Sequence, residues 1–418
     1  MNRFKFVLGS RGWLNSMRRT WQVATRFGLS PARMERRLME LADTVMEYGA
    51  APSLPITAAV LDRNPGVARR LQERGVELPV HGLVHTDMSL MGAETQKSHI
   101  EQALAIFRRH GIEARGFRSP YLRYDESTLR AVEALGFSYD SNLAFYWEPR
   151  LSLSELSAEE SDGLSRGLRF YRPVTAKDDR SLPRFEGRLV EIPVSLPDDE
   201  ILLDRMGLRP ERVGEVWNEM ASEALERGEL LTIQLHPERA VILKRSLERL
   251  LRLSRQEGSF WIATLAEIDS WWRMRTGLKA AVEALENGGY SVRLAAPARL
   301  QLLARIPGED VEERVPEGAV VDSRLKPLIG LDPGAPDALK LFIRDMGYFF
   351  EESRDRGSYA LYLDRLTHKK TAADLVRHCG VPLIADSLWP RPYRAAMAVT
   401  GDIDCLTLGD FMRRFRED

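Results

Sequence analysis

Two histidines four residues apart, His81 and His85, follow the run Glu77-Leu78-Pro79-Val80. Two neutral imidazoles need only one further protein ligand to hold a catalytic divalent metal and leave a coordination position open. One helical turn, or a tight loop after a strand, brings such a pair together. With seven histidines in the chain, the pair alone is a weak motif. Four other segments strengthen it, each a set of polar groups directly after an apolar run. Arg118, Pro120 and Tyr121 stand in Gly116-Phe117-Arg118-Ser119-Pro120-Tyr121, and Asp198 and Asp199 follow Val194-Ser195-Leu196-Pro197. His236 follows a run from Leu230 to Leu235, and Asp402 and Asp404 follow one from Ala395 to Thr400. Imidazoles, carboxylates and a guanidinium gathered in one place could bind a metal, move protons and stabilise an oxyanion. Each has a plainer reading alone: a strand-end Asp caps a helix, an Asp-x-Asp makes a turn, a lone His packs. The set points to a site.

For these groups to meet, they must sit at the carboxyl ends of parallel strands, where active sites of α/β proteins collect. The pattern predicts a helix over 30–49, capped by Ser30, with Pro31 in its first turn and Gly49 at its end. Met34, Leu38, Leu41, Val45 and Tyr48 then share one face. A strand is expected over Leu54–Val60. Further helices are expected near 64–75, 94–110, 126–135, 210–227, 239–256 and 264–274. Strands should precede His81, Arg118, Ser195 and His236, with another near Phe260–Ala263. This alternation argues for an α/β barrel or a doubly wound sheet. Residues 276–390 break the rhythm with short β-like pieces (Tyr290–Leu294, Ala319–Val321, Tyr359–Leu363), turns and at least two helices. They read as an accessory α+β subdomain. A last strand, Ala395–Thr400, and a helix carrying Leu408, Phe411, Met412 and Phe415 return to the barrel pattern. The expected organisation is a barrel over 1–275, the accessory subdomain over 276–390, and a strand and helix over 391–418 that complete the barrel.

Composition narrows the function classes. A net charge of −1 over 418 residues gives no electrostatic case for nucleic acid. Cys379 and Cys405 are too few for a disulfide framework and fit a reducing compartment. No run has the length of a bilayer span or the shape of a signal peptide, so a cytoplasmic protein is expected. The segment 1–28 is basic, with Arg3, Lys5, Arg11, Arg18, Arg19 and Arg26 among Phe4, Phe6, Trp13 and Trp21. It reads as a helix capping the barrel with its basic side in water, or as a peripheral contact with anionic lipid head groups or a lipid-linked substrate.

Taken together, His81-x-x-x-His85, Arg118-Ser119-Pro120-Tyr121, the Asp198/Asp199 turn, Leu235-His236 and the Asp402/Asp404 strand end resemble the polysaccharide deacetylase family, carbohydrate esterase family 4 with the NodB-homology fold. The resemblance covers about residues 29–275 and 391–418. It implies a distorted (β/α) barrel. Because the acidic element comes last instead of first, it also implies a circular permutation of that fold. Asp402 and Asp404 are separated by Ile403, whereas many members have adjacent acids, and Gly401 stands where many have a bulky residue.

The resemblance further implies the chemistry. Asp404, His81 and His85 would bind one divalent metal, zinc as the first choice, with cobalt, manganese, nickel and iron left open. Asp402 would be the general base, held by Arg118. The Tyr121 N–H would face the oxyanion, with Pro120 beside it, and Leu235 would line an acetyl pocket. His236 would protonate the leaving nitrogen, tuned by Asp198 or Asp199. The implied substrate is an N-acetylated amino sugar in a glycan or a soluble or lipid-linked precursor. Three alternatives stand beside this reading: a NodB-like hydrolase of a non-sugar amide, a catalytically inactive glycan-binding or assembly protein, and a metal-dependent aldolase or isomerase on another barrel.

Overall fold

A computed structural model of the chain describes residues 27–417 apart from 257, 287, 295–298, 310, 317 and 318. Apart from Phe27 and Gly28, the basic segment 1–28 lies outside the described residues. No described helix is long and apolar enough to cross a membrane.

The first helix, α1 (Ala32–Met46), buries Met34, Leu38, Leu41 and Val45 on one face, as its 3–4 spacing requires. Its start differs from expectation: Pro31 takes the cap position, and no side chain, Ser30 included, supplies a capping bond. The expected strand over Leu54–Val60 is also absent. Ser53 and Ile56 make only single parallel bridges, to Glu77 and Thr400 and to Val80 and Ile403 respectively. A short helix, α2 (Ala58–Arg63), then begins. Pro52 and Pro55 lack the N–H that a ladder needs, which limits pairing to isolated bridges.

Helices α3 (Pro65–Glu73), α4 (Ala93–Arg109) and α5 (Glu126–Ala134) follow close to their expected places. Parallel strands β1 (Gly116–Phe117) and β2 (Tyr139–Asp140) alternate with them and pair with one another. Beyond β3 (Ala144–Tyr146) comes a helix that the periodicity does not predict, α6 (Ala158–Tyr171). Four short strands follow: β4 (Val174–Thr175), β5 (Arg184–Glu186), β6 (Leu189–Glu191) and β7 (Val194–Leu196). Then come α7 (Pro210–Arg227), β8 (Leu230–Gln234), α8 (Ala240–Arg252), β9 (Phe260–Ile262) and α9 (Leu265–Thr276).

The region after α9 holds antiparallel strands β10 (Ala281–Ala284), β11 (Tyr290–Arg293), β12 (Leu302–Ile306), β13 (Val311–Arg314) and β14 (Val320–Val321), then a parallel trio of β15 (Lys326–Leu331), β16 (Phe350–Glu352) and β17 (Tyr359–Leu363), and β18 (Leu383–Asp386) antiparallel to β12. Helices α10 (Asp337–Asp345) and α11 (Lys369–Arg377) lie among them. Leu303, Ile329, Leu339, Ile343 and Leu383 form one buried cluster there, and Val282, Val292, Leu328 and Phe349 another.

The last strand, β19 (Ala395–Thr400), is buried at every position. That fits its unbroken apolar run, the signature of a parallel strand covered on both faces. It lies between β8 and β9 and is parallel to both, with Met397 opposite Leu231 and Ile262. A C-terminal strand thus sits inside a sheet made by much earlier parts of the chain. Among the described residues the parallel strands form several short sheets joined by bridges, without a continuous closed barrel. Helix α12 (Leu408–Glu417) ends the described chain.

Candidate metal and acid–base site

The functional side chains sit where strands or bridges end. Val80 bridges Phe117 and Ile56, and His81 comes next. The His81 ring is fully buried, and its Nδ1 lies 2.9 Å from the carbonyl of Arg118. That carbonyl can only accept, so Nδ1 carries a proton, and in the neutral ring Nε2 then presents a lone pair. Nε2 faces Asp404 Oδ1 at 3.5 Å and Asp402 Oδ2 at 3.7 Å. His85 Nε2 lies 3.3 Å from Asp404 Oδ2. The carboxylate and both imidazoles therefore converge, although they come from opposite ends of the sequence.

Whether these residues suit a divalent ion can be judged from what they lack. His81 Nε2 and Asp404 Oδ1 are both buried without a hydrogen-bond partner. An orphaned imidazole lone pair beside an orphaned carboxylate oxygen is costly unless a cation joins them. Two imidazoles and one carboxylate are also a donor set that zinc and similar metals accept. The residues fit.

Asp402 is held from two sides. Arg118 Nη1 donates to Oδ1 at 3.3 Å, and Gln234 Nε2 donates to Oδ2 at 2.9 Å. Arg118 is itself fully buried and fixed by the Thr400 hydroxyl at 2.8 Å and by the Ser141 hydroxyl and carbonyl. Gln234 was not anticipated from sequence. Its only signal was its place one residue before Leu235-His236. Leu235 is buried and joins β19 through its N–H to the Thr400 carbonyl. Tyr121 has a φ of 61°, left-handed and strained for a residue with a side chain. Its ring meets that of His85 edge-on at 4.2 Å. Pro120, just before it, is buried.

The strand-end acids divide their tasks. Asp199 Oδ1 lies 2.6 Å from His236 Nδ1, and its Oδ2 accepts the His236 backbone N–H at 2.9 Å. Asp198 instead accepts the Ile201 N–H at 2.8 Å, capping the turn over Glu200–Arg205. Asp199, not Asp198, is the partner of His236. Burial alone would lower the pKa of His236, but the Asp199 carboxylate outweighs it and pushes the ring up to about 10. Burial also opposes ionisation of Asp199, yet the charges of His236 and Arg239 hold it below the usual carboxylate value. Burial and then the neighbouring Asp199 charge push Asp198 up to about 7.

A further residue, unanticipated from sequence, enters the centre. Arg414 on α12 donates to Asp404 Oδ2 at 2.8 Å and reaches the Tyr121 hydroxyl at 3.2 Å. Burial and then the adjoining Arg414 charge hold the His85 ring well below its ordinary value. Burial works against ionisation of Asp404, but its neighbours His85 and Arg414 hold it well below the carboxylate range. The remaining polar candidates are peripheral. His110 pairs with Asp62 at 2.6 Å, and Cys405 is buried in the main core with its thiol pushed up by burial.

Known proteins resemble parts of this chain. Residues 27–139 match the family model described as polysaccharide deacetylase. A peptidoglycan deacetylase-like protein from Gibberella zeae is 26% identical over 111 residues, which is 26% of this chain and 32% of that protein. The chain thus spans about a third of the length of the curated relative it matches. Among solved structures, one from Mycobacterium smegmatis assigned to the polysaccharide deacetylases overlaps at a TM-score of 0.44 with 18% identity, covering 57% of this chain and 77% of the other. An allantoinase overlaps at 0.40 with 18% identity, covering 57% and 71%. The matched residues 27–139 carry both histidines and the Arg118–Tyr121 segment.

Proposed function

We propose that this chain hydrolyses the N-acetyl group of an amino sugar, in a glycan or a soluble or lipid-linked glycan precursor, with one divalent metal held by Asp404, His81 and His85. The observation that carries the reading is the pair of orphaned atoms, His81 Nε2 and Asp404 Oδ1, facing each other 3.5 Å apart beside a doubly held Asp402. When bound, the ion would supply Lewis acidity toward the acyl oxygen and would acidify water. Zinc suits the donor set best.

The other roles belong to the chain itself. Asp402 accepts the proton of the attacking water as general base. Arg118 and Gln234 keep it oriented through their bonds to its two oxygens. The N–H of Tyr121 faces the developing oxyanion, an aim that its left-handed backbone supports. Protonated His236, steadied by Asp199, delivers a proton to the departing amine. Pro120 and Leu235 shape the acyl pocket.

The same reading treats 1–275 and 391–418 as one catalytic unit, circularly permuted from the NodB-type order, with 276–390 as an accessory subdomain. Support comes from β19, which lies between β8 and β9. A cytoplasmic setting is part of the proposal, and both cysteines are free and buried.

Acetate release from N-acetylglucosamine oligomers and their derivatives, by metal-loaded protein, tests the activity. Asp402→Asn should keep stoichiometric metal and lose roughly two or more orders of magnitude in turnover, as for a general base. Turnover like that of the wild type in this variant would overturn the assignment.

A further inference from the structure

Arg414 occupies an unusual position for a long cationic side chain. Its Nη1 donates to Asp404 Oδ2 at 2.8 Å. Its Nη2 lies 2.5 Å from His85 Nδ1, 3.3 Å from His85 Nε2 and 3.2 Å from the Tyr121 hydroxyl. A guanidinium has only donors, so the His85 nitrogen bonded to it must present a lone pair. If Nδ1 accepts from Arg414, the ring's proton sits on Nε2 and points toward Asp404 Oδ2. Two of the three side chains that would hold a metal are therefore engaged by another cation.

The arrangement is incomplete in an informative way. With Arg414 in place, Asp404 Oδ2 and His85 have a partner, but Asp404 Oδ1 and His81 Nε2 have none. A polar network built to exclude metal would satisfy all four positions. This one satisfies the outer half and leaves the inner half open. A monovalent guanidinium and a divalent ion cannot share these ligands, because like charges at such separation repel strongly in a buried setting.

The element that carries Arg414 is fixed at its start. Asp410 accepts from the N–H groups of Leu406 and Thr407 and pairs with Arg63 at 2.6 Å. The Leu408 N–H bonds the Gly28 carbonyl, and the ring of Phe411 stacks on Phe27. The first turn of α12 is thus pinned, while the Arg414 side chain keeps a 22% exposed route to solvent. Rotation of that side chain alone would clear the centre.

We propose that Arg414 is a resident cation that closes the His81–His85–Asp404 centre and withdraws when a divalent metal enters, so that metal loading is gated by this one side chain. The proposal rests on the reading of those three residues as metal ligands. Its role is separable from the hydrolytic chemistry, because it concerns how the centre is filled.

The test measures zinc binding to metal-free full-length protein, by competition with a chromophoric chelator, for wild type, Arg414→Met and Arg414→Lys. Arg414→Met should bind zinc at least tenfold more tightly and take it up faster. Arg414→Lys, which keeps the charge on a shorter reach, should fall between the two. Metal-free Arg414→Met should also melt below metal-free wild type, with the gap closing once zinc is bound. Unchanged or weaker zinc affinity in Arg414→Met, with zinc still bound by wild type, would overturn the gate and leave the metal reading standing. Absence of zinc binding in all three proteins would overturn both. Should Arg414→Met fail to fold, the wild-type and lysine affinities decide, since equal values rule the gate out.

Discussion

The bond between His236 and Asp199 sets the pH behaviour of the candidate acid. His236 sits at about 10 in the folded chain, above its ordinary value near 6.5. It is protonated throughout the neutral range, as a proton donor to an amine must be. In kcat/KM against pH, the alkaline limb for wild type should therefore fall near 10. In Asp199→Asn the burial that lowers the ring is no longer opposed. The limb should then move down by several pH units, to 6.5 or below, with most activity lost at neutral pH; an unmoved limb would remove His236 from the acid role. The same shift has a sign for stability. A raised folded value stabilises the protein fully below about 6.5, and this contribution disappears as pH rises through about 10. Urea unfolding at pH 6 and at pH 10.5 should show the loss in wild type and a smaller one in Asp199→Asn. The residue-level reading from sequence found the histidines, the acids and Arg118 because their types are chemically conspicuous at strand ends. It missed Gln234, whose amide is chemically quiet, and Arg414, which sits in an amphipathic helix where a charged residue reads as solvent-facing.

Strand β19 and the loop after it show what packing demands of a single position. A Cβ placed on Gly401 would lie 2.1 Å from the carbonyl oxygen of Leu235, a backbone atom that cannot step aside. The bulky residue common at this place in the resembling family has no room here, because the β8 end runs against Gly401. Gly401→Ala should cost about 1–3 kcal/mol through the forced shift of β8 against β19. It should also lower turnover by displacing Asp402; equilibrium denaturation and kcat on the same preparation check both. Legibility of the elements followed the same physics. The Ala395–Thr400 strand was legible to the residue because an unbroken apolar run is what a strand covered on both faces requires. Helix α6 was not, because its fully buried positions are Gly163 and Gly167, while its apolar residues Leu164, Leu168 and Tyr171 are only half-buried beside them. Those glycines let the helix press onto the Glu200–Arg205 turn: a Cβ on Gly163 would meet the Arg205 carbonyl at 2.2 Å. The Leu54–Val60 run misled because Pro55 within it and Pro52 just before it, invisible to a hydrophobicity count, withhold the donors that a ladder needs.

The region beyond α9 is fastened to the preceding α/β part by buried charge. Arg275 of α9, fully buried, donates to Asp386 Oδ1 at 2.8 Å, and Arg344 of α10 binds the other oxygen of the same carboxylate. Trp272 adds a bond from its indole N–H to Asp345 at 2.8 Å, and Trp271 bonds the Leu388 carbonyl. Asp386→Ala leaves two guanidinium groups without their shared counter-ion and should destabilise the protein by about 3–5 kcal/mol, measured by urea unfolding. A change within experimental error would mean that this region is held by its apolar contacts alone. The placement of β19 also reaches into the history of each molecule. Arg118 and Asp402 are 284 positions apart. At roughly 5–20 residues per second, a ribosome needs about 15–60 s to travel between them. Throughout that interval the nascent chain holds a guanidinium and an imidazole destined for its interior, with no carboxylate yet made to meet them. The open edges of β8 and β9 wait roughly half as long for their shared neighbour, so the newborn polypeptide is a natural client for chaperones until β19 emerges.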